Sequence, residues 1–259
     1  MSRSKLLAAA LGLAWTFAAG VAMAAAGTPR VVAVSPSGRT VPENLLRISI
    51  RFEAAPEGQV LRRLSLATRD GRPLHEPFLD QELWSPDGRV LTVLLHPGRV
   101  KTGLIAHEQL GAILAEGETV QLMLDGQPLW RWVVGPRDEQ GPRPDGWRLS
   151  PVRAGHRDPL VVRLDGPIDA RGAGYVAVVD AWHRRVAGRP ELLEGEHVWR
   201  FTPAKAWSAG PYQLVARGTL EDAAGNRLNS RFERDADQRP EPAEDVAIPL
   251  EVRVFKPLP

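Results

Sequence analysis

The stretch His197–Leu228, HVWRFTPAKAWSAGPYQLVARGTLEDAAGNRL, restricts the fold more than any other part of this chain. Trp199 and Phe201 alternate with Val198, Arg200 and Thr202; further on, Tyr212, Leu214 and Ala216 alternate with Gln213 and Val215. A period of two is that of strands with one face buried. The connection between the runs is bounded by Pro203 and Gly210, so they read as the arms of a β-hairpin. Glu221–Asn226 then supplies short polar side chains that bond neighbouring backbone N–H groups, and a glycine free to take positive φ. Asp222, Gly225 and Asn226 are therefore predicted to be structural turn residues, with no calcium bound among them.

The same alternation recurs through the chain. In Leu45–Glu53, the residues Leu46, Ile48, Ile50 and Phe52 share one face, opposite Arg47, Ser49, Arg51 and Glu53. Further strands are predicted over 30–34, 61–68, 89–95, 118–124 and 129–134, and again over 147–152, 160–164, 175–180, 230–234 and 247–255, most of them bounded by Gly, Pro, Asn or Asp. Leu104–Ala115 alone has loosely helical spacing and is predicted to be a short helix. Gly135–Gly146, GPRDEQGPRPDG, is polar and carries three prolines, which predicts an extended connector with few internal contacts. An approximate repeat flanks it: PENLLRISIRFEAAPEG corresponds in charge and pattern to RDPLVVRLDGPIDARG, and DGRVLTVLLHPGRVKTG to GEHVWRFTPAKAWSAG. The pattern predicts an all-β chain of two sandwiches.

An aromatic-x-Phe-x-Pro strand, then Gly-x-Tyr-x-Leu, then Leu-x-Asp-x-Ala-Gly-Asn resembles the end of a bacterial immunoglobulin-like domain of the SbsA type. It stands here as Trp199, Phe201 and Pro203, then Gly210, Tyr212 and Leu214, then Leu220, Asp222, Ala224, Gly225 and Asn226. Ala216 occupies a position where that pattern prefers Val. The resemblance implies two Ig-like β-sandwich domains in tandem, at 28–135 and 147–259, joined by a linker at 136–146. The first is degenerate, with Asp125-Gly126 in place of the Asp-x-Ala-Gly-Asn turn. The chain is also similar to a group of exported bacterial proteins of unassigned function through Val41–Arg47, Glu82–Arg89 and His96–Leu104. That likeness implies export and no particular activity.

Export is predicted from the residues as well. Arg3 and Lys5 precede an apolar run, Leu6–Val21, and a small-residue cleavage site at 22–26, the anatomy of a signal peptide over residues 1–26. Its removal predicts a periplasmic or extracellular protein without stable membrane insertion. The absence of cysteine excludes disulfides and thiolate metal sites. Since Arg3 and Lys5 leave with the leader, 31 basic residues face 31 acidic ones. That neutral balance of scattered charges argues against nucleic acid as a partner.

Catalysis has little to stand on. The six histidines form neither His-x-His nor HExxH, the serines lack a Gly-x-Ser-x-Gly elbow, and no Gly-rich loop passes from strand to helix. No catalytic residue, metal ligand or cofactor is predicted. The candidate interaction surface comprises Arg99 and Lys101, on the Pro/Gly frame of HPGRVKTGL, and Trp182, His183 and Arg184 at a hairpin tip. Arg99 and Lys101 could instead be paired internally, and Trp182 folded back. Trp130 and Trp132, two apart on one strand face, are either core aromatics or a platform for sugar rings. The function predicted is that of an exported, non-catalytic interaction or scaffold module of the cell envelope, its partner left open between a protein and a cell-envelope polysaccharide; a polysaccharide-binding module is the alternative and an envelope enzyme third.

Overall fold

Residues 29–228 and 244–254 are described by the computed structural model. The leader expected at 1–26, the strand expected at 230–234 and Phe255 lie outside them.

In the N-terminal half the strands are β1 (Val31–Ser35), β2 (Thr40–Pro42), β3 (Arg47–Phe52), β4 (Leu64–Thr68), β5 (Leu83–Trp84), β6 (Val90–Leu94), β7 (Thr119–Leu124) and β8 (Gln127–Gly135). They form two sheets, in the orders β1-β3-β6-β5 and β2-β8-β7-β4. The alternation in β3 does what its pattern requires: Ile48, Ile50 and Phe52 face Leu66, Leu122 and Trp132 of the other sheet in one buried cluster. Each such side chain contributes about 1.5 to 3 kcal/mol by leaving water. Two short helices, α1 (Pro97–Val100) and α2 (Ile105–Leu110), replace the single helix expected over 104–115. Gly111, at a φ of 74°, ends α2 early.

The C-terminal half contains β9 (Arg148–Leu149), β10 (Leu160–Arg163), β11 (Val176–Asp180), β12 (Gly188–Leu193), β13 (Val198–Pro203), β14 (Gly210–Ala216) and β15 (Val246–Val252). Its sheets run β12-β13-β10-β9 and β11-β14-β15. A second buried cluster, with Trp199, Phe201, Trp207 and Leu214 among its members, lies between them. With nearly all its regular structure in antiparallel strands packed face to face, the chain is all-β and Ig-like.

β13 and β14 are not arms of a hairpin: β13 pairs with β10 and β12, whereas β14 pairs with β11 and β15. The connection crosses between sheets because its middle residue, Trp207, is buried and donates its indole N–H to the Asp158 carbonyl at 2.8 Å. Alternation shows that each run is half-buried, but hairpin and arch have the same period. β12, with its Arg189-Pro190-Glu191, was missed for want of apolar alternation.

The segment 135–146 also departs from a loosely held connector. Gly141, Pro142 and Pro144 are buried, the Arg143 N–H donates to the Asp165 carboxylate, and Asp138 bonds to residues of both halves. Polar linker residues can be ordered when backbone groups offer them partners, and composition does not reveal those partners.

Candidate functional site

The Asp-x-Ala-Gly-Asn turn is the point where the two halves meet. Within it, the Asn226 N–H and side-chain amide donate to the two Asp222 carboxylate oxygens, each at 2.9 Å, and Gly225 takes a φ of 87°. This closes the turn locally, as its residue types predict. Its outer side then docks on the first half. The Leu46 N–H donates to the Ala223 carbonyl at 2.9 Å, and the Ala223 methyl packs in the first core. Asn226 also donates to the Asp138 carbonyl, an oxygen shared with the Asn44 amide.

Charge reinforces the contact. Arg47, on the outward face of β3, is only 8% exposed because the second half covers it. Its Nη1 lies 2.6 Å from the Glu221 carboxylate and 3.5 Å from that of Asp169. Farther along, the Glu196 carboxylate accepts from the Ser37 N–H at 2.9 Å, and Gly195 approaches Gly38 so closely that a Cβ would lie 2.9 Å from its Cα. Asn44, Arg47, Asp138 and Glu196 are the residues that sequence reasoning missed. Each looks like an ordinary surface polar residue until the other half is placed over it.

Burial governs the electrostatics of the turn. Removal from water pushes the Asp222 carboxyl up to about 7; the Asn226 bonds pull it the other way, and the nearby Asp138 charge adds to the rise. Asp138 is itself raised, first by partial burial, with Asp165 adding to it. Among the described residues, no three His, Asp or Glu side chains gather where they could hold a metal ion.

The expected interaction residues divide. Arg99 is withdrawn from the surface, contrary to its place in that set: it is 6% exposed and donates to the carbonyls of His75, Glu76, Leu110, Gly111 and Ala112. Five fixed donors on a planar fork suit a loop clasp, and a Pro/Gly frame gives no sign of which way the side chain turns. Lys101 is half-buried beside it.

Trp182, His183 and Arg184 lie together at the tip between β11 and β12. There Trp182 is 73% exposed, with the Arg184 guanidinium 4.8 Å from its ring centroid. One Asp180 carboxylate oxygen accepts from the backbone N–H of both Trp182 and Arg184, and the other accepts from the Arg184 side chain. His183, at a φ of 58°, occupies the left-handed position of this turn. Trp130 and Trp132 part ways: Trp132 is buried and bonds the Pro36 carbonyl, while Trp130 stands at the rim, 37% exposed.

Fold and site together define an Ig-like β-sandwich protein with two cores and a polar joint between them. No family model matches the chain, and no curated protein matches it. Among solved structures it is similar to CopC from Methylosinus trichosporium OB3b, at 19% identity over 42% of this chain and 96% of that one, with a TM-score of 0.26. It is also similar to an L,D-transpeptidase from Mycobacterium smegmatis, at 14% identity over 64% of this chain and 61% of that one, with a TM-score of 0.27. For domains 4–9 of the surface layer protein SbsC the identity is 12%, over 88% of this chain and 32% of that one, with a TM-score of 0.24. The assignment of the fold rests on the strands and pairings described above.

Proposed function

We propose that this chain is an exported, non-catalytic interaction module of the cell envelope, composed of Ig-like domains at 28–135 and 147–259 that are joined through 136–146. The observation that carries the reading is the tip at Trp182. An aromatic ring 73% exposed and paired with an arginine is the composition of a binding hot spot. Its backbone is already fixed by Asp180, so little ordering entropy remains to oppose binding. The partner best suited to a rigid Trp/Arg knob is a protein with an apolar, acid-rimmed socket.

The test is crosslinking in the intact envelope with a photoreactive residue at His183, followed by identification of the attached protein. A discrete adduct that disappears in Trp182→Ala, with melting unchanged, supports the reading. An adduct unaffected by Trp182→Ala contradicts it. The mass of the recovered chain addresses export separately: cleavage should leave an N-terminus between Ala25 and Thr28, and an intact Met1 would defeat that part.

A polysaccharide remains the second reading because of Trp130. Its ring borders an open depression of about 590 Å³ that also includes Arg39, Pro128 and Arg131, and an exposed indole is a surface on which a sugar ring can stack.

A further inference from the structure

The outer face of the β1-β3-β6-β5 sheet is not fully covered by the second half. Between it and the 3-10 turn Ala170–Tyr175 lies a cleft of about 280 Å³. Its floor follows from strand register: Ser35 pairs with Ser49, and Ser49 with Thr92, so three hydroxyls stand in a row across neighbouring strands. The Ser49 and Thr92 hydroxyls bond each other at 2.9 Å. Such a pair uses one hydrogen and leaves a second for a ligand. Trp84, Leu83 and Val90 form an apolar wall.

The charge in this cleft has one sign. Arg51 and Arg171 line it, one from each half, and no Asp or Glu does. Arg171 is already held by Asp169 at 2.9 Å, whereas Arg51 makes no ion pair among the described residues.

At its inner end the cleft adjoins a cavity of about 10 Å³ that shares Ser35, Ser49 and Ala170 with it, and that Arg47 and Asp169 also line. This is about the room that one oxygen atom of a water or hydroxyl takes up. The buried Arg47 Nε has no hydrogen-bond partner. A buried donor left unpaired is costly, and an oxygen in that cavity would relieve it.

We propose that the cleft binds a carboxylated sugar, a single hexuronate unit, with its carboxylate between Arg51 and Arg171 and a ring hydroxyl directed toward Arg47. Size, charge and polarity agree on this. The volume falls just below the roughly 300 to 1,000 Å³ of sites that accept drug-sized ligands, which leaves space for one ring. Guanidinium groups match a carboxylate in charge and in planar geometry. A hydroxyl suits the inner end better than a carboxylate would, because it accepts from Arg47 and avoids placing a second anion beside Asp169. The hydroxyl row and the apolar wall fit the two kinds of surface that a sugar ring presents. This site adds to the docking role and does not depend on it.

Calorimetric titration of the full chain with glucuronate, glucose and trigalacturonate tests the assignment. Glucuronate is expected to bind with one-to-one stoichiometry and glucose at least about tenfold more weakly. Arg51→Gln, an exposed position, should weaken glucuronate by about tenfold or more without changing the melting temperature, and Arg171→Gln should act in the same direction. Tighter binding of trigalacturonate would identify a unit within a polymer, and equal binding a free sugar acid. The proposal is overturned if glucuronate shows no saturable binding, if glucose binds equally well, or if Arg51→Gln leaves the affinity unchanged.

Discussion

Arg47 Nη1 stands 2.6 Å from Glu221 Oε2, and this pair joins a strand of the first half to the turn that closes the second. Both partners are largely shielded, with side-chain exposures of 9% and 21%. Burying them costs desolvation, and only the geometry of the joint offsets it. Arg47→Met removes the cation from between Glu221 and Asp169, leaving Glu221 to Arg227 at 3.2 Å and Asp169 to Arg171 at 2.9 Å. Denaturant unfolding should record a loss of about 1 to 3 kcal/mol, since a charged hydrogen bond is lost while each acid keeps a second arginine. Glu221→Gln in the Arg47→Met background should then cost little more; additivity within about 0.5 kcal/mol would show that the pair is uncoupled.

The position of Asp222 predicts how stability varies with pH. Its carboxyl is pushed up to about 7 in the folded chain, against an ordinary value of 3.8. Because the folded value is the higher one, the protonated form favours folding. The contribution is fully present below the unfolded value and is lost as pH rises through about 7. The gap corresponds to stabilisation on the order of 4 kcal/mol. Between about pH 5 and pH 8 the wild type should lose stability more steeply than Asp222→Asn. Parallel profiles for the two proteins would remove Asp222 as the source.

Two substitutions separate turn geometry from charge. Gly225 has a φ of 87°, so Gly225→Val forces a β-branched residue into the left-handed region. Asp222→Ala instead removes the acceptor of the Asn226 backbone N–H and one of the two acceptors of its side-chain amide. Each should cost roughly 1 to 3 kcal/mol in thermal or denaturant unfolding. Adding calcium should not restore either variant, and recovery with millimolar calcium would make the turn a metal site.

Gly195 supplies an independent probe of the contact between halves. Its φ is 67°, and a Cβ there would meet the Gly38 backbone at 2.9 Å. Gly195→Ala should therefore disturb the nearby bond from the Ser37 N–H to Glu196. Hydrogen exchange at Ser37 reads this directly: its amide should lose protection, and retained protection would show that the approach is not tight.

How much of this was legible in the sequence depends on which partner a residue faces. Ile48, Ile50 and Phe52 declared their strand because each needs only a generic apolar neighbour. Asp222, Gly225 and Asn226 declared their turn because they are satisfied within five residues of one another. The arch at Trp207 was not legible: the residue that turns the chain between sheets does so by a bond to Asp158, 49 positions away. Arg47 and Asn44 were equally opaque, since a polar residue on an outward face looks the same whether it meets water or another sheet. Arg99 misled for the related reason that its partners are backbone carbonyls, which every sequence contains.

The turn around Ala223 completes the first half. A change placed in the second half should therefore be read in the first. In Ala223→Glu, a carboxylate replaces a methyl that packs in the first core, next to the carbonyl that accepts from the Leu46 N–H. Native-state hydrogen exchange should show protection falling at Leu46 and Ile48, while Val178, in the second core, keeps its own. Unchanged protection at Leu46 would show that the first half does not depend on this turn.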